Sequence, residues 1–319
     1  MHAIRQHEFG AAENLRYESA PDPAPDPDQV RIAVRAAGVH LVDTEIRSGR
    51  TSGPWQLPQL PMIPGREVAG VVDQLGADVP QRWLGKRVVA HLGMASAGYA
   101  ELAVANVDAL HQLPDTLAFD HAVAMMGTGR MTQGILALAQ PAAGETVLVT
   151  AAAGGIGTLL VQAARNAGAF VIGAAGGPAK VERVEADLAV DYAEPDWTNR
   201  LGDRQIDLLL DGVGGAEARA AFERLKTGGR IVLFGWSSGK ELAFSSSEVY
   251  EKLLTVTVAL GPSVLRQPGG LRALEERSLA EAAAGRLVPA VQTFPLAEAA
   301  TAHRALESRA TVGKVVLLP

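Results

Sequence analysis

The sequence predicts an α/β protein in which a parallel, doubly wound sheet follows a separate β-rich domain. Two observations carry this prediction. Apolar strand-like runs alternate with helical segments from residue 146 to residue 260, and the first third of the chain consists of short strands bounded by turn residues and proline-rich loops. The length of 319 residues is too great for one compact core, which also favours two domains.

The composition narrows the class of protein. Hydrophobic residues make up 48% of the chain and charged residues 20%, which is typical of a globular protein. The net charge of −6 does not favour a nucleic-acid partner, and the chain carries no nucleic-acid-binding motif. The absence of cysteine excludes disulfides and thiolate metal ligands and fits a cytoplasmic location. Without a run of ~20 apolar residues, we expect no membrane span, and we expect no signal peptide.

The β-rich domain is predicted from four strand-like segments. The first alternates in polarity, with Val30, Ile32 and Val34 on one face. The other three are apolar runs bounded by turn residues, at 67–76, 86–93 and 99–106.

The doubly wound sheet is predicted from the alternation that follows. Residues 119–140 have a helical pattern. After them we expect strands at 146–151, 169–174, 188–192, 206–211, 230–235 and 253–260, with helices at 155–167, from Pro178 and at 216–226. Two more helices, around 271–284 and at 297–307, precede an apolar end at 313–319, so we expect the chain from residue 261 on to return to the β-rich domain.

The turn after the first parallel strand is typical of a phosphate site. It runs from Ala151 to Gly157 and is built almost entirely of alanine and glycine. Small residues let the backbone approach a pyrophosphate, which the free amides and the positive dipole at the helix start then hold. The order departs from GxGxxG, but the flanking strand, helix and strand are the context that this motif requires. We therefore predict dinucleotide binding by Ala153, Gly154, Gly155, Ile156 and Gly157; the alternative is a small-residue turn without a nucleotide.

The next segment favours NADPH over NADH. NAD-binding chains usually place an acidic residue about 20 residues further on, at the ribose 2′-hydroxyl. Here Gly173–Gly177 contains no carboxylate, and Lys180 follows it. A lysine attracts a 2′-phosphate, whereas a carboxylate repels it. We therefore expect Gly176 and Lys180 in an NADPH site; the alternative for Lys180 is a solvated residue at a helix start.

Several blocks of sequence, taken in order, resemble one enzyme family nearly end to end. They are AAGVHLVDTEIRSG (36–49), PMIPGREVAGVVDQLG (61–76), VLVTAAAGGIG (147–157), GGRIVLFGWSSG (228–239) and GKVVL (313–317). With these blocks the chain resembles the medium-chain dehydrogenase/reductase superfamily, in its zinc-free quinone oxidoreductase branch, which includes zeta-crystallin. The resemblance implies a Rossmann NADP-binding domain at 118–260 and a discontinuous GroES-like catalytic domain at 1–117 and 261–319.

The resemblance also implies site residues and an assembly. Tyr192 would join Lys180 at the 2′-phosphate, and Lys314 would close the site from the catalytic domain. Family members are commonly homodimers paired through the edge strand of the cofactor domain, which here is 253–260. The residues that would face the cofactor are Thr128, Gly212, Val213, Phe234, Gly235 and Trp236.

The same resemblance locates the reacting residues and argues against the family's zinc. Where zinc-dependent relatives have a histidine ligand this chain has Arg66, which cannot ligate a cation, so we expect no metal. His40 and Glu45 stand where the branch usually has an asparagine and a tyrosine facing the nicotinamide. His40 is suited to donate a hydrogen bond or a proton, and a pairing with it would soften the charge of Glu45. The alternative is that both line a solvated surface and take no part in the chemistry.

These observations predict an NADPH-dependent, zinc-independent oxidoreductase that transfers hydride to a quinone or an α,β-unsaturated carbonyl compound. One alternative is an enoyl-thioester reductase, whose basic entrance would come from Arg47, Arg50 and Arg66. Another is an NADPH-binding sensor or structural protein without useful turnover, which the replacements at His40 and Glu45 favour.

Overall fold

The computed structural model of the protein describes residues 1–50, 57–93 and 97–319. The chain divides into two compact units. We call Met1–Gly127 with Ala290–Pro319 the β-rich unit and Thr128–Pro289 the parallel-sheet unit. One unit contains a parallel sheet, and the other is β-rich and is formed by two separate segments of the chain. This confirms the predicted fold class.

The strands of the described residues are, in chain order, β1 (His2–Gln6), β2 (Leu15–Ser19), β3 (Gln29–Val39), β4 (Glu67–Leu75), β5 (Arg87–His91), β6 (Leu102–Asn106), β7 (Leu110–Gln112), β8 (Thr146–Val149), β9 (Phe170–Ala175), β10 (Leu188–Asp191), β11 (Ile206–Asp211), β12 (Leu225–Leu233), β13 (Thr255–Val258), β14 (Val291–Pro295) and β15 (Lys314–Leu318).

The α-helices of the described residues are α1 (Leu41–Arg47), α2 (Phe119–Ala124), α3 (Arg130–Ala139), α4 (Gly155–Asn166), α5 (Pro178–Val181), α6 (Gly215–Glu223), α7 (Ser246–Lys252), α8 (Pro262–Leu265), α9 (Gly270–Ala283) and α10 (Ala299–Glu307). A π-helical turn, Met125–Gly129, joins α2 to α3. Short 3-10 turns occur at Ala12–Asn14, Gln81–Trp83, Val107–Ala109, Trp197–Leu201 and Leu296–Glu298.

A seven-stranded sheet in the order β14-β15-β3-β4-β5-β7 forms the frame of the β-rich unit, with β6 paired to β3. Its pairs are antiparallel except for β14 with β15, and β1 and β2 form a separate antiparallel pair. The predicted alternation in β3 is present, since Val30, Ile32 and Val34 are all buried in the core of this unit. The return of the chain through β14 and β15 therefore completes the sheet that the first third begins.

A six-stranded parallel sheet forms the frame of the other unit. Its order is β10-β9-β8-β11-β12-β13, and every pair is parallel. The order reverses between β8 and β11, which makes the carboxyl ends of these two strands the topological switch point of the sheet. The apolar residues Val147, Leu148 and Val149 of β8 are fully buried, as expected of a strand covered on both faces.

The predicted domain boundaries at 117/118 and 260/261 need correction. The units meet in the sequence at Gly127/Thr128 and at Pro289/Ala290. The first boundary is later because α2 packs against β3 and β4 of the β-rich unit, with Ala122, Val123 and Ala124 buried. The second is later because α9 packs against α3 of the parallel-sheet unit. Amphipathic helices do not reveal from sequence alone which sheet their apolar face will cover.

Among the described residues, no helix combines the length and the apolar character needed to cross a membrane.

Candidate active site

The turn from β8 to α4 has the geometry of an anion site. Gly154 is the N-cap residue of α4, a helix of 12 residues, and no side chain caps it. The amide of Gly154 donates to the carbonyl of Ala151 at 2.8 Å, which folds the turn tightly. A Cβ on Gly157 would overlap that same carbonyl oxygen, so only glycine fits there. The first amides of α4 have no acceptor within the helix and remain available to a phosphate.

The five residues predicted to bind the dinucleotide are consecutive in this turn. Ala153 and Gly157 are buried beneath it, while Gly154, Gly155 and Ile156 are partly exposed. The backbone of the turn thus faces outward, and the small side chains of Ala153 and the glycines leave it uncovered. These residues fit the pyrophosphate of a dinucleotide, because they offer amides and a helix dipole instead of competing side chains.

A second turn follows β9 and brings Gly176 against Tyr192. A Cβ on Gly176 would lie 2.8 Å from the Tyr192 ring, so the ring can pack here only because residue 176 is glycine. Lys180 follows on the short helix α5 and is half-buried. Asp191 is the nearby acidic residue, and its carboxylate accepts the amides of Gly177 and Ala193, each at 2.8 Å. Its charge is therefore partly compensated by backbone amides.

The third part of the predicted cofactor surface lies at the ends of β11 and β12. A Cβ on Gly212 would overlap the Phe234 ring, and the carbonyl of Gly212 accepts the amide of Ser237 at 3.0 Å. Val213 is buried, whereas the Trp236 side chain is 47% exposed. The structure thus brings Gly212, Val213, Phe234, Gly235 and Trp236 to one edge of the sheet.

Thr128 lies apart from these turns in the sequence. It belongs to the π-helical turn before α3 and is buried, and its carbonyl accepts the hydroxyl of Thr132 at 3.0 Å.

A charged cluster in the β-rich unit contains two of the predicted site residues. Glu67 Oε1 lies 2.6 Å from Lys314 Nζ and 2.9 Å from His40 Nε2, and these two nitrogens are 3.1 Å apart. The Glu67 side chain is fully buried, that of Lys314 is 5% exposed and that of His40 is 24% exposed. A Cβ on Gly38 or Gly127 would overlap the Glu67 carboxylate, so two glycines make the slot that holds it.

The negative charge of Glu67 in this cluster lies next to the basic groups of Lys314 and His40. Burial alone would raise the pKa of the Glu67 carboxyl, but the charges and hydrogen bonds of His40 and Lys314 outweigh burial and hold that pKa well below its usual range. Glu67 is therefore an ionised carboxylate inside the protein. Lys314 supplies the cation that such a buried charge requires.

The structure adds partners to two of the predicted site residues. The ammonium group of Lys314, which is predicted to close the cofactor site, lies against Glu67 and His40. His40 pairs with Glu67 and not with Glu45, because Glu45 points from α1 to Arg50, at 3.2 Å. The charge of Glu45 is thus offset by a neighbouring arginine.

The backbone of His40 is held by a second group of polar residues. Asp43 accepts the His40 amide at 2.8 Å, the Arg66 guanidinium at 3.2 Å and the Tyr99 hydroxyl at 3.1 Å. The Tyr99 hydroxyl also lies 3.3 Å from His303 Nε2. Burial lowers the pKa of His303 to about 4, so this ring is neutral at neutral pH.

Three polar residues at strand ends, Glu67, Thr150 and Asp211, are not among the residues predicted from the sequence, although their positions carry a signal. Glu67 begins the apolar run of β4, where a carboxylate is out of place unless it has a partner. Thr150 and Asp211 stand at the carboxyl ends of β8 and β11, the edge at which such sheets bind ligands. A polar residue at the end of an apolar strand is therefore a more specific sign of a site than the apolar strand itself.

The described residues do not fit a zinc ion. The chain has no cysteine, and no group of three or more histidine or carboxylate side chains among the described residues could hold a metal. In the charged cluster, the ammonium of Lys314 lies within 3.1 Å of both His40 Nε2 and Glu67 Oε1. A cation bound to these two side chains would meet a fixed positive charge.

The fold agrees with comparisons with known proteins. Residues 26–115 match the family model for the alcohol dehydrogenase GroES-like domain, and residues 184–317 match the model named zinc-binding dehydrogenase. The chain is 32% identical to the quinone oxidoreductase of Rattus norvegicus, covering 100% of this chain and 98% of the rat protein. It is 29% identical to the 2-haloacrylate reductase of a Burkholderia species, covering 98% and 97%.

A solved structure is similar over the whole chain. The crystal structure of Escherichia coli quinone oxidoreductase complexed with NADPH matches with a TM-score of 0.82 at 28% identity, and the match covers 100% of both chains. The order of blocks, the two-unit architecture and this similarity over the full length lead to one conclusion. The chain belongs to the medium-chain dehydrogenase/reductase superfamily, in its quinone oxidoreductase branch.

Proposed function

We propose that the protein is an NADPH-dependent, zinc-independent oxidoreductase that reduces a quinone or an α,β-unsaturated carbonyl compound. One observation carries the proposal: the start of α4 has no side-chain cap, and the turn of alanine and glycine before it is partly exposed at Gly154, Gly155 and Ile156. The names of the relatives, quinone oxidoreductase and 2-haloacrylate reductase, support an electron-poor conjugated acceptor.

The choice of NADPH rests on the second turn. The segment after β9 offers Gly176 and Gly177 where an NAD site would offer a carboxylate, and Lys180 with Tyr192 follows. A half-buried lysine gains more from a 2′-phosphate than an exposed one, because water screens it less. The relative from Escherichia coli was solved with NADPH, which supports the same choice.

The chemistry divides between the cofactor and a few side chains. Bound NADPH supplies a hydride to an electron-poor carbon of the substrate. The chain must bind the substrate, hold its oxygen and return a proton. His40 is the side chain suited to the last two tasks, because it is partly exposed while Glu67 and Asp43 fix its ring and its backbone. Leu41 beside it is 49% exposed and offers apolar surface to a quinone or enone.

The pairing of Glu45 with Arg50 removes an objection to this reaction. An isolated carboxylate would repel an anionic product such as a hydroquinone monoanion. With the Arg50 guanidinium 3.2 Å away, the pair is close to neutral. We propose that Glu45 shapes this surface and does not transfer a proton.

An enoyl-thioester reductase is the less favoured enzyme. Its substrate carries an anionic arm and needs free basic residues at the entrance. The three arginines that could have served are each paired with an acid: Arg47 with Glu307, Arg50 with Glu45 and Arg66 with Asp43. Their charge is used within the β-rich unit.

We further propose a homodimer that pairs through β13. This strand lies at the edge of the parallel sheet and pairs with β12. Val258 at its end is 48% exposed and Leu253 just before it is 70% exposed, which is unusual for apolar residues of a lone edge strand. Light scattering after gel filtration should give twice the chain mass, and Val258→Lys should shift the protein toward monomer.

The function is tested in two steps, binding and turnover. NADPH is first titrated by its fluorescence; absence of affinity for both NADPH and NADH would contradict the proposal. Oxidation of NADPH is then followed with a panel of quinones, enones, 2-haloacrylate and enoyl-thioesters. Binding without oxidation across the panel would identify a sensor instead of an enzyme.

Variants of His40 test its role in turnover. We expect His40→Ala to lower kcat by about 100-fold while the Kd for NADPH stays within twofold. His40→Asn, which keeps a hydrogen-bond donor, should retain more activity than His40→Ala. Equal kcat in all three proteins would remove His40 from the mechanism.

A further inference from the structure

A polar pair lies at the topological switch point of the parallel sheet. Thr150 directly follows β8, and Asp211 is the last residue of β11; these two strands are neighbours in the sheet. Both side chains are completely buried. The crevice outside the carboxyl ends of two such strands is where open α/β sheets bind their ligands.

A network of short hydrogen bonds joins the pair to the turn after β11. The Thr150 hydroxyl donates to Asp211 Oδ1 at 2.6 Å and accepts the amide of Gly212 at 3.0 Å. Asp211 Oδ1 accepts the amide of Val213 at 3.0 Å, and Oδ2 accepts that of Gly214 at 3.2 Å. Three consecutive amides of the turn are thus fixed by two side chains, one from each strand.

Thr150 also lies directly before the first turn. The amide of Thr150 donates to the Leu210 carbonyl of β11 at 3.0 Å, and the next residue, Ala151, has φ +49°. Ala151 provides the carbonyl that Gly154 and Gly157 approach. The hydrogen bond between Thr150 and Asp211 therefore links the start of the first turn to the turn after β11.

The Asp211 carboxylate is buried, which costs free energy. Burial raises the pKa of its carboxyl, and the hydrogen bonds from Thr150, Val213 and Gly214 only partly oppose this. None of the ion pairs among the described residues includes Asp211. An apolar residue in this place would leave the Thr150 hydroxyl and the amides of Val213 and Gly214 without their acceptor, so the carboxylate is what holds these groups.

We propose that Thr150 and Asp211 are positioning residues for the nicotinamide cofactor: their hydrogen bond holds the Ala151–Gly157 and Gly212–Gly214 turns at the separation that binding requires. This inference rests on the proposed function, because it needs a cofactor at this edge. The inference means that the affinity for the cofactor depends on the buried pair Thr150 and Asp211 as well as on the exposed backbone of the two turns.

A matched control lies at the opposite end of the same two strands. Asp207 of β11 accepts the amide of Thr146 of β8 at 2.7 Å and pairs with Lys226. It too joins β8 to β11 through a carboxylate, but at the amino edge of the sheet, at the other end of both strands from the two turns. A residue that merely holds the two strands together would behave the same at either end.

Four variants therefore separate positioning from stability: Asp211→Asn, Thr150→Val, Thr150→Ser and Asp207→Asn. Asparagine at 211 presents an amide nitrogen to donors that need an acceptor, and valine at 150 keeps the shape of threonine without its hydroxyl. For each variant, the Kd for NADPH is measured by fluorescence titration and the thermal unfolding midpoint is measured without cofactor.

We expect Asp211→Asn to raise the Kd for NADPH about tenfold or more and Thr150→Val to raise it about fivefold. Thr150→Ser and Asp207→Asn should stay within about twofold, although Asp207→Asn lowers the unfolding midpoint. Should Asp211→Asn fail to fold, the two Thr150 variants decide alone.

Wild-type affinity in both Asp211→Asn and Thr150→Val would overturn the inference while leaving the proposed function intact. So would a rise in Kd that follows the loss of stability across all the variants. A wild-type protein that binds no nicotinamide nucleotide would overturn the proposed function and this inference together, a result that the first titration already identifies.

Discussion

The two candidate sites of this protein are built in opposite ways. The turn from Ala151 to Gly157 is one continuous stretch of chain whose working parts are backbone amides. The cluster of His40, Glu67 and Lys314 is made of side chains that lie far apart in the sequence and meet through β3, β4 and β15 of one sheet. The first site depends on the absence of side chains, and the second on a balance of charge.

This difference determines how each site should fail. A backbone site tolerates many changes nearby but not a Cβ where the chain comes too close to itself. A buried charge cluster tolerates little, since removal of one partner leaves another charge uncompensated inside the protein. The four predictions that follow test this contrast, beginning with the largest expected effect.

Removal of Lys314 should give the largest loss of stability. Lys314→Met leaves the buried Glu67 carboxylate without its cation, and we expect unfolding to become easier by about 3–5 kcal/mol. The double variant Glu67→Gln with Lys314→Met removes both charges and should recover a large part of that loss. Chemical denaturation of the three proteins measures both effects.

The control for this experiment is an exposed ion pair. Arg272 and Glu276 lie one helical turn apart on α9, and both side chains are more than half exposed. Arg272→Met should cost less than about 1 kcal/mol. A Lys314→Met variant as stable as Arg272→Met would mean that Glu67 is not a buried carboxylate in solution.

The same contrast explains what the sequence could predict. The Ala151–Gly157 turn was identified because strand, small residues and helix follow one another in the chain, and local order is what a sequence displays directly. The union of Glu67 with Lys314 depends on β15 pairing with β3 and β3 with β4. No local pattern encodes that pairing, so the sequence does not show that Lys314 and His40 share the carboxylate of Glu67.

The domain boundaries were misplaced for a related reason. The predicted elements near them were correct: a helical segment after residue 118 and a long helix near 271–284 are present as α2, α3 and α9. Their assignment to a unit depends on which sheet or helix covers their apolar faces. That choice is tertiary, and α2 and α9 each pack away from the domain to which the sequence assigned them.

A substitution in the first turn should give the largest effect on binding. Gly157→Ala places a Cβ onto the Ala151 carbonyl, which must move and take the turn with it. We expect the Kd for NADPH to rise about 100-fold, which corresponds to about 2.7 kcal/mol. Isothermal titration of the folded variant measures this change.

The matched variant is Gly154→Ala in the same turn. Gly154 has φ −81° and ψ 170°, an extended conformation open to alanine, and an added Cβ would lie 3.2 Å from the Ala151 carbonyl oxygen. We expect a change of no more than about fivefold. Equal losses in the two variants would show that the turn responds to any added methyl group and not to the close approach at Gly157.

The neutral His303 of the β-rich unit should make stability depend on pH. Its pKa falls from 6.5 to about 4 in the folded protein, mainly through burial, with Arg47 adding to that effect and Asp43 opposing it. Between these values the unfolded chain binds the proton more readily, so stability falls as the pH falls. We expect the free energy of unfolding to be about 2 kcal/mol lower at pH 5 than at pH 7.5 from this group alone.

His303→Leu should reduce this dependence on pH. The Tyr99 hydroxyl keeps its bond to Asp43 in the variant, so the network around His40 is preserved. Denaturant unfolding of both proteins at pH 5 and pH 7.5 gives the comparison. An unchanged difference between the two pH values would assign the dependence to other groups.

The smallest of the four effects concerns the choice between the two nicotinamide nucleotides at the second turn. Lys180 lies half-buried on α5, one turn before the exposed Arg183. Lys180→Ala removes a charge that the 2′-phosphate of NADPH would meet and that NADH would not, so the Kd for NADPH should rise about tenfold, or about 1.4 kcal/mol, while that for NADH stays unchanged. Arg183→Ala is the matched loss of one positive charge and should change the ratio of the two Kd values by less than about threefold.

Two outcomes would contradict the role proposed for Lys180. Equal effects of the two substitutions would mean that the affinity depends on the general positive charge of this face. A wild-type preference for NADH would mean that the 2′-phosphate lowers the affinity instead of raising it.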